Sequence, residues 1–207
     1  EIKWLLSLGM KEFFFLDDTF TINRDRALRL CKLLIKENLQ IKYKISSRID
    51  KVDKELLHYL AKSGCYRIHY GVESGSQRIL DYLQKEILVE QIYKVIEMTK
   101  NENIQIFVYM MIGVPTETKK EMLQSVELIN KIKPDHVNYS ICSPFPKTYL
   151  YEQALIEAQV KDDYWQNFAE NPDSSFKIKT LNKDFDEVEL RRIQDFAMRR
   201  FYMSPRL

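Results

Sequence analysis

Short strand-like runs alternate with longer helical patterns along this sequence, and the alternation limits the possible folds more than any other feature. The runs are rich in Phe, Ile, Tyr and Val, as strands are, and they lie at Glu12–Leu16, Ile41–Ile45, Arg67–Val72, Gln105–Ile112 and His136–Ile141. They begin about 26 to 38 residues apart, which is the size of a βαβ unit. Because such crossovers are right-handed and join parallel strands, the pattern predicts an α/β fold with a parallel sheet.

Helical periodicity fills the intervals between these runs. Apolar residues recur three and four positions apart in Arg24–Glu37, Lys54–Ala61 and Val89–Lys100. Thr118 and Glu121 have the spacing of a capping box, which predicts the start of a further helix that ends before the proline at position 134.

The number of units and the chain length favour an incomplete barrel. The opening segment, Ile2–Leu8, is typical of the end of a helix, so we expect the chain to begin inside a β/α unit. Five units without a glycine-rich nucleotide loop favour a curled sheet over a doubly wound one. A complete eight-unit barrel needs about 250 residues, and this chain has 207. We therefore predict a partial TIM-like (β/α)6 barrel with parallel strands that lacks its first β/α unit.

The last part of the chain departs from the β/α pattern. A helix is predicted from Tyr149 to Ala158, followed by an irregular aromatic segment, Trp165–Phe176, and a final helix, Asp186–Tyr202. The aromatic segment either closes the barrel as a lid or packs against the final helix. We divide the chain into a barrel domain, residues 1–158, and a C-terminal helical extension, residues 159–207.

Composition and charge argue against several classes of protein. Lysine and arginine exceed aspartate and glutamate by 32 to 30, so no net field favours nucleic acid or an anionic membrane. No apolar run approaches the length of a membrane span. The three cysteines, Cys31, Cys65 and Cys142, form neither a disulfide framework nor a CxxC metal motif, so we expect reduced thiols in a cytoplasmic protein.

Strand parity predicts one polar face on the sheet. Alternate residues of a strand face opposite sides, and one side of three strands is polar: Lys42, Lys44, Ser46 and Arg48; Arg67, His69, Gly71 and Glu73; His136, Asn138, Ser140 and Cys142. Strands buried on both faces are nearly all apolar, so these residues either fill edge positions or line a lumen that holds a polar ligand.

Candidate ligand-binding residues lie at the carboxyl ends of the strands, where barrel active sites are built. They are Asp17, Asp18, Arg48, Glu73, Ser74, Glu117 and Ser143. Several carboxylates with one arginine suit a zwitterionic ligand, since acids bind an amine or hydroxyls and arginine binds a carboxylate.

Five segments, in order, resemble the radical S-adenosylmethionine (radical SAM) enzymes, especially the branch with an N-terminal cobalamin-binding domain that includes the anaerobic porphyrin cyclase type. They are Phe13–Thr21, Ser46–Arg48, Gly64–Gln77, Ile112–Thr118 and Pro144–Thr148. The last departs from the family at Lys147, where glycine is more usual. The resemblance covers nearly the whole chain.

The resemblance implies a barrel that binds S-adenosylmethionine and a [4Fe-4S] cluster, with reductive cleavage to a 5′-deoxyadenosyl radical or cobalamin-dependent methyl transfer. By position, Asp17 or Asp18 would hold the methionine amine and Arg48 the methionine carboxylate. Glu73 and Ser74 would contact the ribose or the methionine moiety. The segment that contains Gly113, Pro115 and Glu117 would line the adenine end.

The family's cluster motif, CxxxCxxC after the first strand, is absent from this sequence. We interpret the absence as truncation, so the cluster ligands, and in the cobalamin-dependent branch the cobalamin domain, are expected outside this chain. The chain alone should then be inactive, and no catalytic or metal-binding residue is assigned within it. The resemblance also implies a small-molecule substrate of unknown identity and an electron donor such as flavodoxin or ferredoxin.

Two other functions remain open. The first is a non-catalytic barrel that binds S-adenosylmethionine or serves as an interaction scaffold. The second is a different barrel enzyme with a divalent metal held by Asp17, Asp18, Glu73 and His69. A basic stretch, residues 24–54 with ten lysines and arginines against four acids, is either a solvated surface or a contact for an acidic partner.

Overall fold

The protein is described by a computed structural model over residues 1–157, 160, 163–174, 176–177 and 179–203. Five parallel strands form one curled sheet, a half-barrel, in the order β1-β2-β3-β4-β5. The strands are β1 (Glu12–Phe14), β2 (Lys42–Ser47), β3 (Cys65–Glu73), β4 (Gln105–Ile112) and β5 (His136–Ile141). The predicted α/β class, parallel strands and partial barrel are confirmed.

Helices join successive strands and continue into the C-terminal extension. They are α1 (Ile2–Ser7), α2 (Arg24–Lys36), α3 (Lys54–Lys62), α4 (Gln77–Tyr82), α5 (Val89–Asn101), α6 (Lys119–Ile132), α7 (Tyr149–Ile156), α8 (Tyr164–Glu170) and α9 (Glu187–Tyr202). The capping box of Thr118 and Glu121 is present at the start of α6. None of the described helices is both long and apolar enough to cross a membrane.

The two faces of the sheet differ as strand parity predicts. Tyr43, Tyr70 and Tyr139 lie on the convex face, under the helices, and at most 1% of each is exposed. The Tyr43 hydroxyl forms a hydrogen bond with Ser63 (2.6 Å), just after α3, and the Tyr70 hydroxyl with Thr99 on α5 (2.9 Å). The convex face therefore holds the core, and the polar residues are left on the concave face.

The sequence mispredicted some elements. The aromatic segment predicted to be irregular overlaps α8. The Asp163 side chain caps the first turn of this helix by accepting a hydrogen bond from the Gln166 amide. The short helix α4 was not predicted, because six residues are too few to display helical periodicity. Strand β1 ends at Phe14, before the predicted Leu16, and Ala158, the predicted end of α7, lies outside the described residues.

The C-terminal extension packs directly on the half-barrel. Helix α9 contacts β5, β4 and α6, and Leu190, which is fully buried, lies against Gly113 at the end of β4. Asn182 precedes α9, and its side chain reaches the loop that follows β4. The extension thus covers the carboxyl end of β4.

Candidate functional site at the carboxyl ends of the strands

Glu73 ends β3 in a strained conformation. Its φ of +71° is in the left-handed region, which costs a residue with a side chain about 1 kcal/mol or more. Its carboxylate lies over Gly71, where a Cβ atom would be only 2.7 Å from the Glu73 Oε1. The same Oε1 accepts a hydrogen bond from the Lys85 ammonium at 3.1 Å. The carboxylate is thereby held on the concave face.

Arg48 follows β2, beside the end of β3. Its guanidinium donates two hydrogen bonds to the Asp50 carboxylate, at 2.8 and 3.2 Å, and a third to the Lys85 carbonyl at 2.9 Å. Burial alone would raise the pKa of Asp50, but hydrogen bonds from Arg48 and Lys51 bring it below its ordinary value. Arg48 is thus oriented by an ionised partner and is only half-buried.

Asp17 and Asp18 follow β1 in a loop tied to the end of β2. The Phe20 amide donates to the Ser46 carbonyl at 2.9 Å, and the Thr21 and Ser47 hydroxyls are 2.5 Å apart. Asp17 pairs with Arg26 on α2 at 2.9 Å, whereas Asp18 is exposed. The loop places both carboxylates next to the strand that Arg48 follows.

Ser74 is placed inside the fold. It is fully buried, and its hydroxyl accepts a hydrogen bond from the Ser76 amide at 3.1 Å and is 3.3 Å from the Ser125 hydroxyl on α6. Its side chain therefore anchors the loop after β3 to a helix. Ser143, another predicted residue, donates its hydroxyl to the Ile141 carbonyl.

Glu117 is also inside the fold, although its charge suggests a surface position. It is fully buried, and its Oε2 accepts hydrogen bonds from the Gly113 and Val114 amides at 2.7 and 3.1 Å. Its Oε1 has no partner among the described atoms. Burial raises the pKa of Glu117 to about 7, although the two backbone hydrogen bonds act in the opposite direction. The loop after β4 therefore curves around this carboxyl group, which accepts hydrogen bonds from two of its amides.

Gly113 begins this loop with a φ of +77°, and a Cβ atom there would meet Leu190 at 2.7 Å. The close approach that the glycine permits is therefore made by α9. Pro115 lines a cleft of about 430 Å³ with Thr116, Tyr82 and residues of α7. Asp17, Asp18, Arg48 and Glu73 are not among the residues that line this cleft.

Stacked and tilted side-chain rings cover part of the concave face. His69 stacks on Phe107, with ring centroids 4.7 Å apart, and its Nδ1 lies 3.1 Å from the Tyr109 hydroxyl. Burial, assisted by Arg67 and Lys44, lowers the pKa of His69 to about 4. His69 is therefore a neutral, hydrogen-bonded residue of the concave face.

Sequence reasoning missed two residues that contact the candidate site. Lys85 joins Glu73 and Arg48, and Asn182 donates to the carbonyls of Val114 and Glu117, both at 2.9 Å. Neither lies at a strand end or in a motif, so no local signal identified them.

No metal centre forms among the described residues, where no group of three or more histidine, cysteine, aspartate or glutamate residues could hold an ion. Cys31, Cys65 and Cys142 are free and buried, and burial raises the pKa of Cys142 to about 12. The chain's cysteines therefore do not fit an iron–sulfur cluster. Asp17, Asp18, Glu73 and His69, the set expected for a metal-dependent barrel enzyme, likewise form no such group within the described part of the chain.

Comparison with known sequences agrees with the family that the five segments resemble. The family model described as the radical SAM superfamily matches residues 1–129. An uncharacterized methyltransferase of Pyrococcus horikoshii is 28% identical over 199 residues, which cover 96% of this chain and 42% of that protein. The anaerobic magnesium-protoporphyrin IX monomethyl ester cyclase of Cereibacter sphaeroides is 29% identical over 203 residues, covering 96% of this chain and 32% of the cyclase. This chain thus spans less than half of either relative.

Solved structures share the fold. The radical S-adenosylmethionine methyltransferase TsrM from Kitasatospora setae superposes with a TM-score of 0.67 at 16% identity, over 72% of this chain and 29% of TsrM. The cobalamin-dependent S-adenosylmethionine radical enzyme OxsB gives a TM-score of 0.56 at 19% identity, over 76% of this chain and 24% of OxsB.

Proposed function

This chain belongs to the radical SAM superfamily, and we propose that it forms the S-adenosylmethionine-binding side of a radical SAM enzyme. Enzymes of this superfamily use S-adenosylmethionine and a [4Fe-4S] cluster. The reaction would be reductive cleavage to a 5′-deoxyadenosyl radical or cobalamin-dependent methyl transfer. The names of the relatives, a methyltransferase and a cyclase, are compatible with both.

The observation that carries the proposal is the pair of opposite charges held at the ends of β2 and β3, within the matched residues. Arg48 and Glu73 are each fixed by a partner, Asp50 and Lys85 respectively. Arg48 would bind the carboxylate of a zwitterionic amino acid moiety through charge-assisted hydrogen bonds. Glu73, at the end of the neighbouring strand, would accept hydrogen bonds from the ribose or the methionine moiety.

We assign the other residues by position. Asp17 or Asp18 would bind the methionine amine, and Arg48 the carboxylate. Glu73 would contact the ribose or the methionine moiety. Ser74 and Glu117 would act through the loops that they anchor, because their side chains are buried. The backbone from Gly113 to Pro115, folded around Glu117, would line the adenine end.

The cluster needs ligands from outside this chain, since the three cysteines are buried and no group of three or more metal-ligating side chains forms among the described residues. The electron donor would be an acidic protein such as flavodoxin or ferredoxin, and the exposed residues Arg29, Lys32 and Lys36 of α2 offer it a basic surface. Unpaired cysteines are usual in a reducing compartment, which supports a cytoplasmic location.

Calorimetric titration with S-adenosylmethionine tests the binding proposal on the 207-residue chain. We expect saturable binding that Glu73→Gln weakens, because an amide cannot replace the anionic charge. Glu127→Gln, an exposed change on α6, is the matched control and should bind as the unchanged protein does. Absence of binding would favour the interaction scaffold over the S-adenosylmethionine site.

Catalysis is tested on the protein encoded by the complete gene. Its sequence should contain CxxxCxxC ahead of residues 1–207, and the reconstituted protein should contain iron and sulfide and form 5′-deoxyadenosine or a methylated product. A complete gene without the three cysteines would instead support the non-catalytic barrel.

A further inference from the structure

We propose that Lys85, in the loop between α4 and α5, is a positioning residue that holds the candidate ligand-binding groups of two strands in place. The inference rests on the proposed function for the identity of the ligand. Lys85 lies outside every segment in which the sequence suggested a binding role.

Lys85 contacts both charged strand ends, each through a different group. Its ammonium donates to the Glu73 carboxylate at 3.1 Å, and its backbone carbonyl accepts from the Arg48 guanidinium at 2.9 Å. Glu73 ends β3 and Arg48 follows the neighbouring strand β2, so the two contacts of Lys85 connect one strand end with the other. A single loop residue thus fixes the separation between the anionic and the cationic group.

The pair of Lys85 and Glu73 is shielded from water. Their side chains are 20% and 18% exposed, so solvent screens the attraction less than at an open surface. Removing one partner would leave a largely buried charge without compensation. The carboxylate has little freedom to leave Gly71 while the ammonium is present.

The backbone around this contact is strained on both sides. Gln84 and Glu86, the neighbours of Lys85, have φ values of +52° and +54°, and Glu73 has +71°. Three non-glycine residues in the left-handed region therefore meet at one contact. Such conformations persist only where the surroundings enforce them, and they concentrate at binding sites. The loop is bent so that both the ammonium and the carbonyl of Lys85 face the strand ends.

The surroundings of Gly71 show where Lys85 holds the Glu73 carboxylate. Any side chain at this position would meet the Glu73 carboxylate at 2.7 Å, and the Lys85 ammonium lies 3.6 Å from the same point. The two groups thus occupy the space on the concave face that a side chain would fill. Lys85 directs the carboxylate toward the lumen, where the ligand would bind.

Titration of folded variants with S-adenosylmethionine measures the effect. Lys85→Met keeps the length of the side chain but removes the ammonium, and we expect the dissociation constant to rise about tenfold. Lys85→Arg retains a cationic donor and should restore most of the affinity. Lys94→Met, an exposed substitution on α5, is the control and should change nothing. An affinity that Lys85→Met leaves unchanged would contradict the proposal.

A double-mutant cycle distinguishes positioning from a general loss of structure. If Lys85 acts through Glu73, Lys85→Met should cause no further loss of affinity in the Glu73→Gln background. Independent, additive losses would overturn this role. If Lys85→Met does not fold, Lys85→Gln serves in the same cycle with the same expected outcome.

A ligand-free measurement separates failure of this inference from failure of the proposed function. If the unchanged protein binds no S-adenosylmethionine, the proposed function fails, and amide hydrogen exchange then decides the positioning role. Lys85→Met should make the backbone amides at positions 74 and 85 exchange several-fold faster, while Lys94→Met should not. Equal exchange in the two variants would show that Lys85 holds nothing in place.

Discussion

Glu117 is a buried carboxylic acid that stabilises its own loop through hydrogen bonds. It is fully buried and accepts two amide hydrogen bonds within its own loop. Burial raises its pKa to about 7, because removing an ionised carboxylate from water is unfavourable. A group whose folded-state pKa is raised contributes stability at low pH that is lost as the pH rises through the folded value.

The pH dependence of stability should change in Glu117→Gln. Between pH 4.5 and about 7, the unfolding free energy of the unchanged protein should fall by on the order of 3 kcal/mol relative to that of the variant, because the glutamine side chain cannot ionise. Urea unfolding below and above this interval measures the difference. Glu127→Gln, which is exposed, should show no such change in slope. If the unfolding free energies of all three proteins change equally with pH, the prediction is wrong.

Gly113 should not tolerate a side chain. Gly113→Ala adds a methyl group 2.7 Å from Leu190 at a φ of +77°, and we expect a loss of about 3 kcal/mol from strain and overpacking. Gly9→Ala is the matched control, since Gly9 has a φ of +84° with no atom within 4 Å of its Cβ position. It should cost only about 1 kcal/mol. Chemical denaturation compares the two, and equal losses would contradict a role for Leu190.

At the scale of elements, the loop after β4 is held from two sides. Glu117 binds its amides from within, and Asn182, from the C-terminal extension, donates to the Val114 and Glu117 carbonyls. Buried carbonyls need such donors. The extension therefore completes a loop that the half-barrel alone would leave with unsatisfied groups.

Asn182→Ala should destabilise the protein by about 2 kcal/mol, because it removes two hydrogen bonds to buried carbonyls. Hydrogen exchange should also become faster in the loop from Gly113 to Glu117. Asn167→Ala changes an exposed residue of α8 in the same extension and should have little effect. Equal stability of the two variants would mean that Asn182 does not support the loop.

At the scale of the whole molecule, the division at residues 158 and 159 stays a prediction, and both positions lie outside the described residues. The contacts of Leu190 and Asn182 with the loop after β4 favour cooperative unfolding of extension and barrel. Trp165 offers a probe within the extension, with its indole donating to the Pro144 carbonyl at 2.8 Å.

The unfolding transition of the extension should coincide with that of the barrel. The chain has two tryptophans, so Trp4→Phe leaves Trp165 as the only one. In this variant, tryptophan fluorescence and far-ultraviolet circular dichroism should give the same midpoint in urea. Trp4→Phe has the advantage of altering an exposed position. An earlier fluorescence transition would support an extension that unfolds as a separate unit.

The sequence by itself determined the order of the five strands and the faces of the sheet. These depend on local periodicity, as the burial of Tyr43, Tyr70 and Tyr139 shows. Periodicity also placed Arg48 and Glu73 at neighbouring strand ends, because parallel strands end on the same side. What a motif residue contacts does not follow from its position in the motif. Ser74 and Glu117 had the sequence pattern of ligand-facing residues, yet both are buried.

Only the tertiary structure decided which distant groups complete the candidate site. Lys85 reaches Glu73 from 12 positions away and Arg48 from 37, and Leu190 fills the space beside Gly113. Such contacts depend on how loops and the extension pack on the finished sheet. Local sequence governs the hydrogen bonding and periodicity within one helix or strand. Whether two such elements approach each other depends on how side chains distant in sequence pack together when the whole chain folds.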